Sequence, residues 1–291
     1  MSYPASLRAR AEGLAEALPP LLADAEHLAQ AVLLGEHGRR RAGMGDEFWQ
    51  YRPAHPGDEA RMIDWRRSAR SDSHFVREKE WQAAQSVLLW VDDAASMRFS
   101  GGPNQRPKIE RARVLAMAVA VLLTRGGERV GLSGMRLPPR RGALQLLRLA
   151  EALGDEGGAA DYGAPETRGM PSHSRALFLS DFLGDLAPVE AALTKAADRG
   201  VKGALLQILD PAEEAFPYDG RTIFESMGGS LRHETLKAGD LRGRYLERLA
   251  MRKARLADLA RSTGWHFSTH HTGESAQGAL LWIYRALERV R

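Results

Sequence analysis

The run SVLLWVDDAASM, from Ser86 to Met97, ends an apolar stretch in two carboxylates, Asp92 and Asp93, and then presents the hydroxyl of Ser96. Carboxylate and hydroxyl oxygens are hard donors, the kind Mg²⁺ prefers, and they also hydrogen-bond a partner's polar groups. Two later apolar stretches, RALFLSD and VKGALLQILD, also close on acids, Asp181 and Asp210. A second concentration of chemistry lies in PGDEARMIDWRRSAR, where Arg61, Arg66, Arg67 and Arg70 surround Asp64 and Trp65. That segment reads either as a partner-docking surface or as a charge network that staples its own fold together. Asp58 can cap a helix beginning near Glu59, Asp64 can pair with Arg66 or Arg70, and Trp65 reads as an anchor.

These groups need elements to position them. SVLLWV has strand length and no polar alternation, as expected of a central parallel strand covered on both faces. It is followed by RPKIERARVLAMAVAVLLTRGG, a helix that Pro107 can open and Gly126 and Gly127 can end. ERVGLSGM, RALFLSD, VKGALLQILD and GWHFSTHH read as further strands, with RTIFESM as one more candidate. GALQLLRLAEALG, APVEAALTKAADRG, a basic stretch over 240–262 and SAQGALLWIYRALERV read as helices. The Gly- and Pro-rich segment 155–174 reads as a surface loop. This alternation predicts an α/β fold with a doubly wound, mostly parallel sheet of the Rossmann-like kind. In such sheets ligands gather outside the carboxyl ends of the strands, where Asp92, Asp93, Asp181 and Asp210 fall. The acids would therefore stand on an exposed rim.

Upstream, leucines at helical spacing over 5–35 predict an N-terminal helical lead-in. Two short strands near 46–52 and 74–81, flanking a helical segment near 59–69, predict a small β-ribbon insertion. The domain reading is thus a helical segment over 1–35, a ribbon region over 36–82 and the sheet domain over 83–291.

The totals narrow the function classes. The 291 residues include no cysteine, which excludes disulfides and Cys-ligated zinc and suits a reducing cytoplasm. The start carries no signal-peptide pattern, and the longest apolar run, Val114 to Leu123, is too short to cross a bilayer. A net charge of +4 is small for the length, so the arginine clusters read first as solvated helix faces. His270 and His271 are adjacent and would point to opposite faces of a strand. The chain has no HExxH, no GxSxG elbow, no P-loop and no dinucleotide-binding glycine fingerprint.

Gly43, Gly45, Glu47, Phe48, Tyr51 and Arg52, then the run from Pro56 to Arg70, then an acid followed by Ser96 and Met97, form a long and specific pattern. In it the chain resembles the domain-of-unknown-function-58 family (DUF58), bacterial proteins with a von Willebrand factor A-like domain. The resemblance implies a von Willebrand factor A-like fold and a partner of the MoxR-type AAA+ ATPase class, in assembly, maturation or stress functions, with no catalytic activity. It also implies a metal-ion-dependent adhesion site of pattern D-x-S-x-S with a distant Thr and Asp. Asp92 and Ser96 match, Asp181 is the candidate distant acid and Thr167 a weak candidate threonine, but Ala94 stands where the middle hydroxyl belongs. Two readings follow for this degenerate site. Either Asp93 or water completes a Mg²⁺ shell, or Asp92 and Ser96 hydrogen-bond the loop without a metal. The expected function is a non-enzymatic adaptor, cytoplasmic, whose sheet edge around Asp92, Asp93, Ser96 and Asp181 engages an acidic side chain or loop of its partner, through Mg²⁺ in the metal-bound reading, with Arg61, Arg66, Arg67 and Arg70 as a second contact. Its rivals are a nucleic-acid-associated protein using the basic helix and a metal-dependent hydrolase.

Overall fold

A computed structural model describes residues 20–35, 48–54, 63–69, 74–79, 85–102, 105–133, 138–154, 158 and 160–288. The described elements run from helix α1 (Pro20–Gly35) through β1 (Phe48–Pro53), α2 (Trp65–Ser68) and β2 (Phe75–Lys79) to β3 (Ser86–Val91). A 3-10 turn (Ala95–Arg98) then leads to α3 (Lys108–Arg125), β4 (Arg129–Leu132), α4 (Ala143–Gly154), β5 (Arg175–Ser180) and α5 (Ala187–Ala197). Next come β6 (Lys202–Leu209), the short α6 (Pro211–Ala215), β7 (Thr222–Glu225) and β8 (Arg232–Thr235). A second 3-10 turn (Ala238–Leu241) precedes α7 (Arg242–Ser262), β9 (His266–His271) and α8 (Ala276–Glu288). The chain divides into two compact units, one built from 1–35 with 85–291 and the other from 36–84.

The larger unit holds a five-stranded sheet in the order β4-β3-β5-β6-β9, parallel throughout. Side chains of a strand alternate between faces, and here that alternation sorts them into two cores. Val87, Leu89 and Val91 of β3 join Leu177, Leu179, Leu206 and Ile208 under α1, α3, α4 and α8. Leu88 and Trp90 join Phe178 and Leu205 under α5 and α7. Burial on both faces is why β3, β5 and β6 are apolar at nearly every buried position, with Ser180 and Gln207 as the buried polar exceptions. The predicted doubly wound α/β fold is therefore observed. The first sheet strand, β3, has the second on one side and the third on the other. The order reverses between β3 and β5, the switch point where such sheets place ligands.

Among the described residues no helix is long and apolar enough to cross a membrane. The apolar run in α3 serves the core instead, with Leu115 to Leu122 all buried.

RTIFESM forms a strand, as read from the sequence, and stands outside the main sheet: β7 pairs antiparallel with β8 as a separate hairpin, Thr222 opposite Thr235 and Glu225 opposite Arg232. Phe224 faces inward onto Phe216, ring centroids 5.6 Å apart, and Phe216 packs on Tyr245 at 4.9 Å, so an aromatic cluster seats the hairpin. The segment 155–174 is not simply a surface loop, since Thr167, Met170 and Ser174 are buried.

In the smaller unit β1 and β2 pair antiparallel, with Pro53 opposite Phe75. Asp64 caps α2, its Oδ1 accepting from Arg67 N at 3.0 Å. Ser68 Oγ donates to Asp64 O at 2.8 Å and accepts from Phe75 N at 2.9 Å, tying the turn to the ribbon. Trp65 meets His74 edge-on, with ring centroids 5.5 Å apart. Arg66 and Arg67 are exposed on α2, and Arg67 lies 5.7 Å from the Phe75 ring centroid, within cation–π range. Asp58, Glu59, Arg61 and Arg70 lie outside the described residues.

Candidate functional site at the carboxyl edge of the sheet

β3 ends at Val91, and Asp92 N continues its ladder by donating to Leu179 O of β5 at 2.9 Å. The carboxylate then turns back into the protein. Its Oδ1 accepts from Ala94 N at 3.0 Å and its Oδ2 from Ser180 Oγ at 2.7 Å. Ser180 Oγ in turn accepts from Phe182 N at 2.9 Å, which commits the hydroxyl proton to Asp92. Phe182 holds a positive φ of 48°, a left-handed backbone uncommon for a bulky residue, at the point where β5 leaves the core. Burial pushes the Asp92 carboxyl above its ordinary value; the bonds from Ser180 and Ala94 oppose this, and Asp181 and Asp93 add to it.

The rim is closed. Ala95 N donates to Ala160 O and Ser96 N to Asp161 O, both at 2.9 Å, stitching the 160–163 backbone over the edge. A Cβ at Gly163 would stand 2.1 Å from Asp92 Oδ1, so only glycine lets the loop lie this close. Asp92 and Asp181 are consequently 2 % and 1 % exposed and Ser96 is buried, which corrects the expectation of an open rim. Of the residues expected there, Asp93 alone faces solvent. Ser96 Oγ is buried with no hydrogen-bond partner among the described residues.

Asp181 meets a partner that sequence reasoning missed. Lys108 enters from the first turn of α3, and its Nζ donates to Asp181 Oδ2 at 2.8 Å and to Glu213 Oε1 at 2.6 Å. The lysine side chain is 0 % exposed. Burial disfavours the ammonium, but the Asp181 and Glu213 carboxylates outweigh that and hold its pKa above the ordinary lysine value. Asp181 Oδ1 accepts from Leu183 N at 3.0 Å. A helix N-terminus repels cations, so a lysine in the first turn of α3, just after Pro107, was the signal that could have exposed this contact.

Asp210 is architectural. It caps α6 through Ala212 N at 2.8 Å, and Glu213 Oε2 completes the capping box by accepting from Asp210 N at 2.8 Å. Its Oδ2 also accepts from Gly101 N at 3.0 Å. The buried Thr167 makes no hydrogen bond to Asp92, Ser96 or Asp181 among the described residues. His270 is buried, with Nε2 3.0 Å from Arg111 Nη1, while Nε2 of His271 meets Glu214 Oε2 at 3.1 Å. Burial, then the adjacent guanidinium, push His270 down to about 4.

Beside the closed rim lies a cleft of about 140 Å³, with Ser96, Phe99, Tyr162 and Leu183 on the sheet side and Glu225, Ser226 and Met227 from the hairpin opposite. Asp161 and Glu213 also line it. Asp161 bridges the two sides. It accepts from Ser226 Oγ at 3.0 Å, from Gly228 N at 2.5 Å and from Ser230 Oγ. The Ser230 bond, followed by those from Ser226 and Gly228, holds its carboxyl below the ordinary aspartate value, against some desolvation. Around the cleft the hairpin leaves Ile223, Met227 and Leu231 46 %, 50 % and 63 % exposed.

A divalent cation at Asp92, Ser96 and Asp181 would need free hard oxygens. Ala94 supplies a methyl group, both Asp92 oxygens are engaged, and both Asp181 oxygens are engaged, one by an ammonium. These residues do not fit a Mg²⁺ shell.

The sequence matches the family described as "Protein of unknown function DUF58" over residues 50–255. It is 28% identical over 269 residues to the uncharacterized proteins Rv1480 of Mycobacterium tuberculosis and Mb1516 of Mycobacterium bovis, covering 86% of this chain and 82% of each relative. Among solved structures, an aerotolerance-related membrane protein from Bacteroides fragilis aligns with 71% of this chain and 100% of its own, at 14% identity and a TM-score of 0.42. BatB from Bacteroides thetaiotaomicron aligns with 70% of this chain and 100% of its own, at 14% identity and a TM-score of 0.40.

Proposed function

The chain belongs to the DUF58 family, and we propose that it is a non-enzymatic protein-interaction adaptor with a von Willebrand factor A-like domain. Its partner is a MoxR-type AAA+ ATPase, served in assembly, maturation or stress functions. The observation that carries this reading is the cleft at the β3/β5 switch point, with the unpartnered Ser96 hydroxyl on one wall and a hairpin exposing Met227 and Leu231 on the other. Exposed apolar side chains around a polar recess suit a protein partner better than a small substrate. The lining also selects the partner's chemistry. Asp161 and Glu225 give the cleft negative character, so a lysine or arginine side chain complements it, whereas the acidic group expected from the sequence would be repelled. The direct contacts are then the cleft, the hairpin and Asp93, with Asp92 supporting the edge from inside. Arg66 and Arg67, exposed on α2, offer a second contact surface.

The chemistry of the edge supports a non-enzymatic role. Asp92 is spent on Ala94 and Ser180, and Asp181 and Glu213 on Lys108, while Asp161, the carboxylate that meets the Ser226 and Ser230 hydroxyls, also takes Gly228 N and serves to close the hairpin turn. The nucleic-acid reading is weakened as well, because four of the seven cations of α7 are already engaged within the protein. Arg252 Nη1 donates to Phe182 O at 3.1 Å, Arg255 pairs with Glu190 at 3.1 Å, Arg261 with Asp258 at 2.6 Å, and Lys253 with Glu214.

The test is binding to the MoxR-type ATPase encoded nearest the gene, measured by biolayer interferometry. Leu231→Asp on the full chain is expected to weaken it about tenfold or more, as for an apolar contact at the centre of an interface. Unchanged binding refutes the docking role of the hairpin.

A further inference from the structure

The D-x-S-x-S resemblance implies a divalent cation at this edge, yet the residues present do not fit one. The reason is specific. Asp181, the acid that would serve as the distant ligand, is already neutralised by Lys108 Nζ at 2.8 Å, and the same ammonium holds Glu213 at 2.6 Å. Two carboxylates converge from β5 and α6 on one point that is sealed from solvent, and a positive charge from α3 occupies it. A second cation of charge two placed beside that ammonium would face repulsion in a medium of low effective dielectric. It would also have to strip donors from Asp92, whose Oδ1 and Oδ2 are held by Ala94 N and Ser180 Oγ.

We propose that Lys108 is a built-in replacement for the divalent ion. Its ammonium takes over the charge-neutralising role at the sheet edge, so this site keeps its shape without any metal. The inference concerns charge inside the fold and does not depend on which partner docks outside it.

Three consequences follow from the chemistry. The thermal midpoint of the wild-type chain is unmoved by EDTA, Mg²⁺ or Mn²⁺. Mn²⁺ titrated calorimetrically into the wild-type protein gives no binding at this site. Removing the ammonium uncovers Asp181 and Glu213, a pair of hard ligands with space between them, so Lys108→Ala binds one equivalent of Mn²⁺ where the wild type binds none and gains thermal stability on adding it. Stoichiometric Mn²⁺ binding to the wild type that Asp181→Asn abolishes would overturn the proposal. So would a folded Lys108→Ala that gains no Mn²⁺ affinity. Should Lys108→Ala not fold, the wild-type and Asp181→Asn titrations decide the matter alone, because they need no lysine variant.

Discussion

Replacing Lys108 by methionine is the sharpest perturbation available in this fold. Methionine keeps the unbranched stem that packs at the start of α3 and deletes only the ammonium. Lys108 is 0 % exposed and Asp181 1 %, with Glu213 at 12 %, and the two contacts are 2.8 and 2.6 Å long. Both are charge-assisted hydrogen bonds of the strong class. Deleting one partner of a buried ion pair leaves an uncompensated charge and costs about 3–5 kcal/mol. Here two carboxylates lose one shared countercharge, so Lys108→Met belongs at the upper end of that range. For a unit of this size each kcal/mol shifts the midpoint by about 2–4 °C, so a fall of about 10–20 °C is expected. Equilibrium urea unfolding followed by tryptophan fluorescence is a direct assay, since the buried Trp90 and Trp265 both report on the core of the larger unit. The triple variant Lys108→Met, Asp181→Asn, Glu213→Gln is the control. It removes every charge but keeps the acceptors for Leu183 N and Asp210 N, and neutral replacement of a whole buried network is often close to neutral in stability. It should therefore recover most of the loss. A Lys108→Met cost below about 1 kcal/mol, the range of an exposed pair, or a triple variant no better than the single one, would refute the argument that this ammonium holds the edge together.

Two further outcomes are expected elsewhere in the larger unit. His270 stays neutral in the fold down to about pH 4 while an unfolded histidine titrates at 6.5, so the stability it contributes is complete above pH 6.5 and drains as pH falls through about 4. At ~1.4 kcal/mol per pH unit the full loss is roughly 3 kcal/mol. His270→Gln keeps an acceptor for Arg111 and should flatten that part of a urea midpoint series against pH; an unaltered slope counts against the buried-neutral assignment. Gly163→Ala puts a methyl 2.1 Å from Asp92 Oδ1 and must shift the covering loop, at a cost of about 1–3 kcal/mol by chemical denaturation; a neutral substitution would mean the loop does not close the rim.

What was legible in the sequence divides along physical lines. Strands buried on both faces announce themselves, because SVLLWV, RALFLS and KGALLQIL are apolar at nearly every buried position. The acid that follows each marks where the chain leaves the core, so the carboxyl edge at Asp92, Asp181 and Asp210 followed from pattern alone. The β8 strand escaped because Arg-His-Glu-Thr carries no burial pattern; its partner is fixed by the aromatic seat of the hairpin, a tertiary contact. The state of the edge was also hidden, for a deeper reason. An acid at a strand end reads the same whether it faces water or a lysine. What seals this edge comes from far away in the chain: Lys108 stands 73 residues from Asp181 and 105 from Glu213. The cover over Asp92 depends on the absence of one Cβ, in a Gly-rich segment whose composition suggests only a loop. Periodicity could locate the site, because burial leaves a repeating mark on sequence. It could not tell an ion-binding rim from a neutralised one, because that distinction rests on a single cation placed by the packing of α3 against the sheet. A lysine in the first helical turn, against the helix dipole, is a local irregularity that accords with such a placement, though α7 opens on the unburied Arg242 and Arg244 and shows that the mark alone does not reveal one.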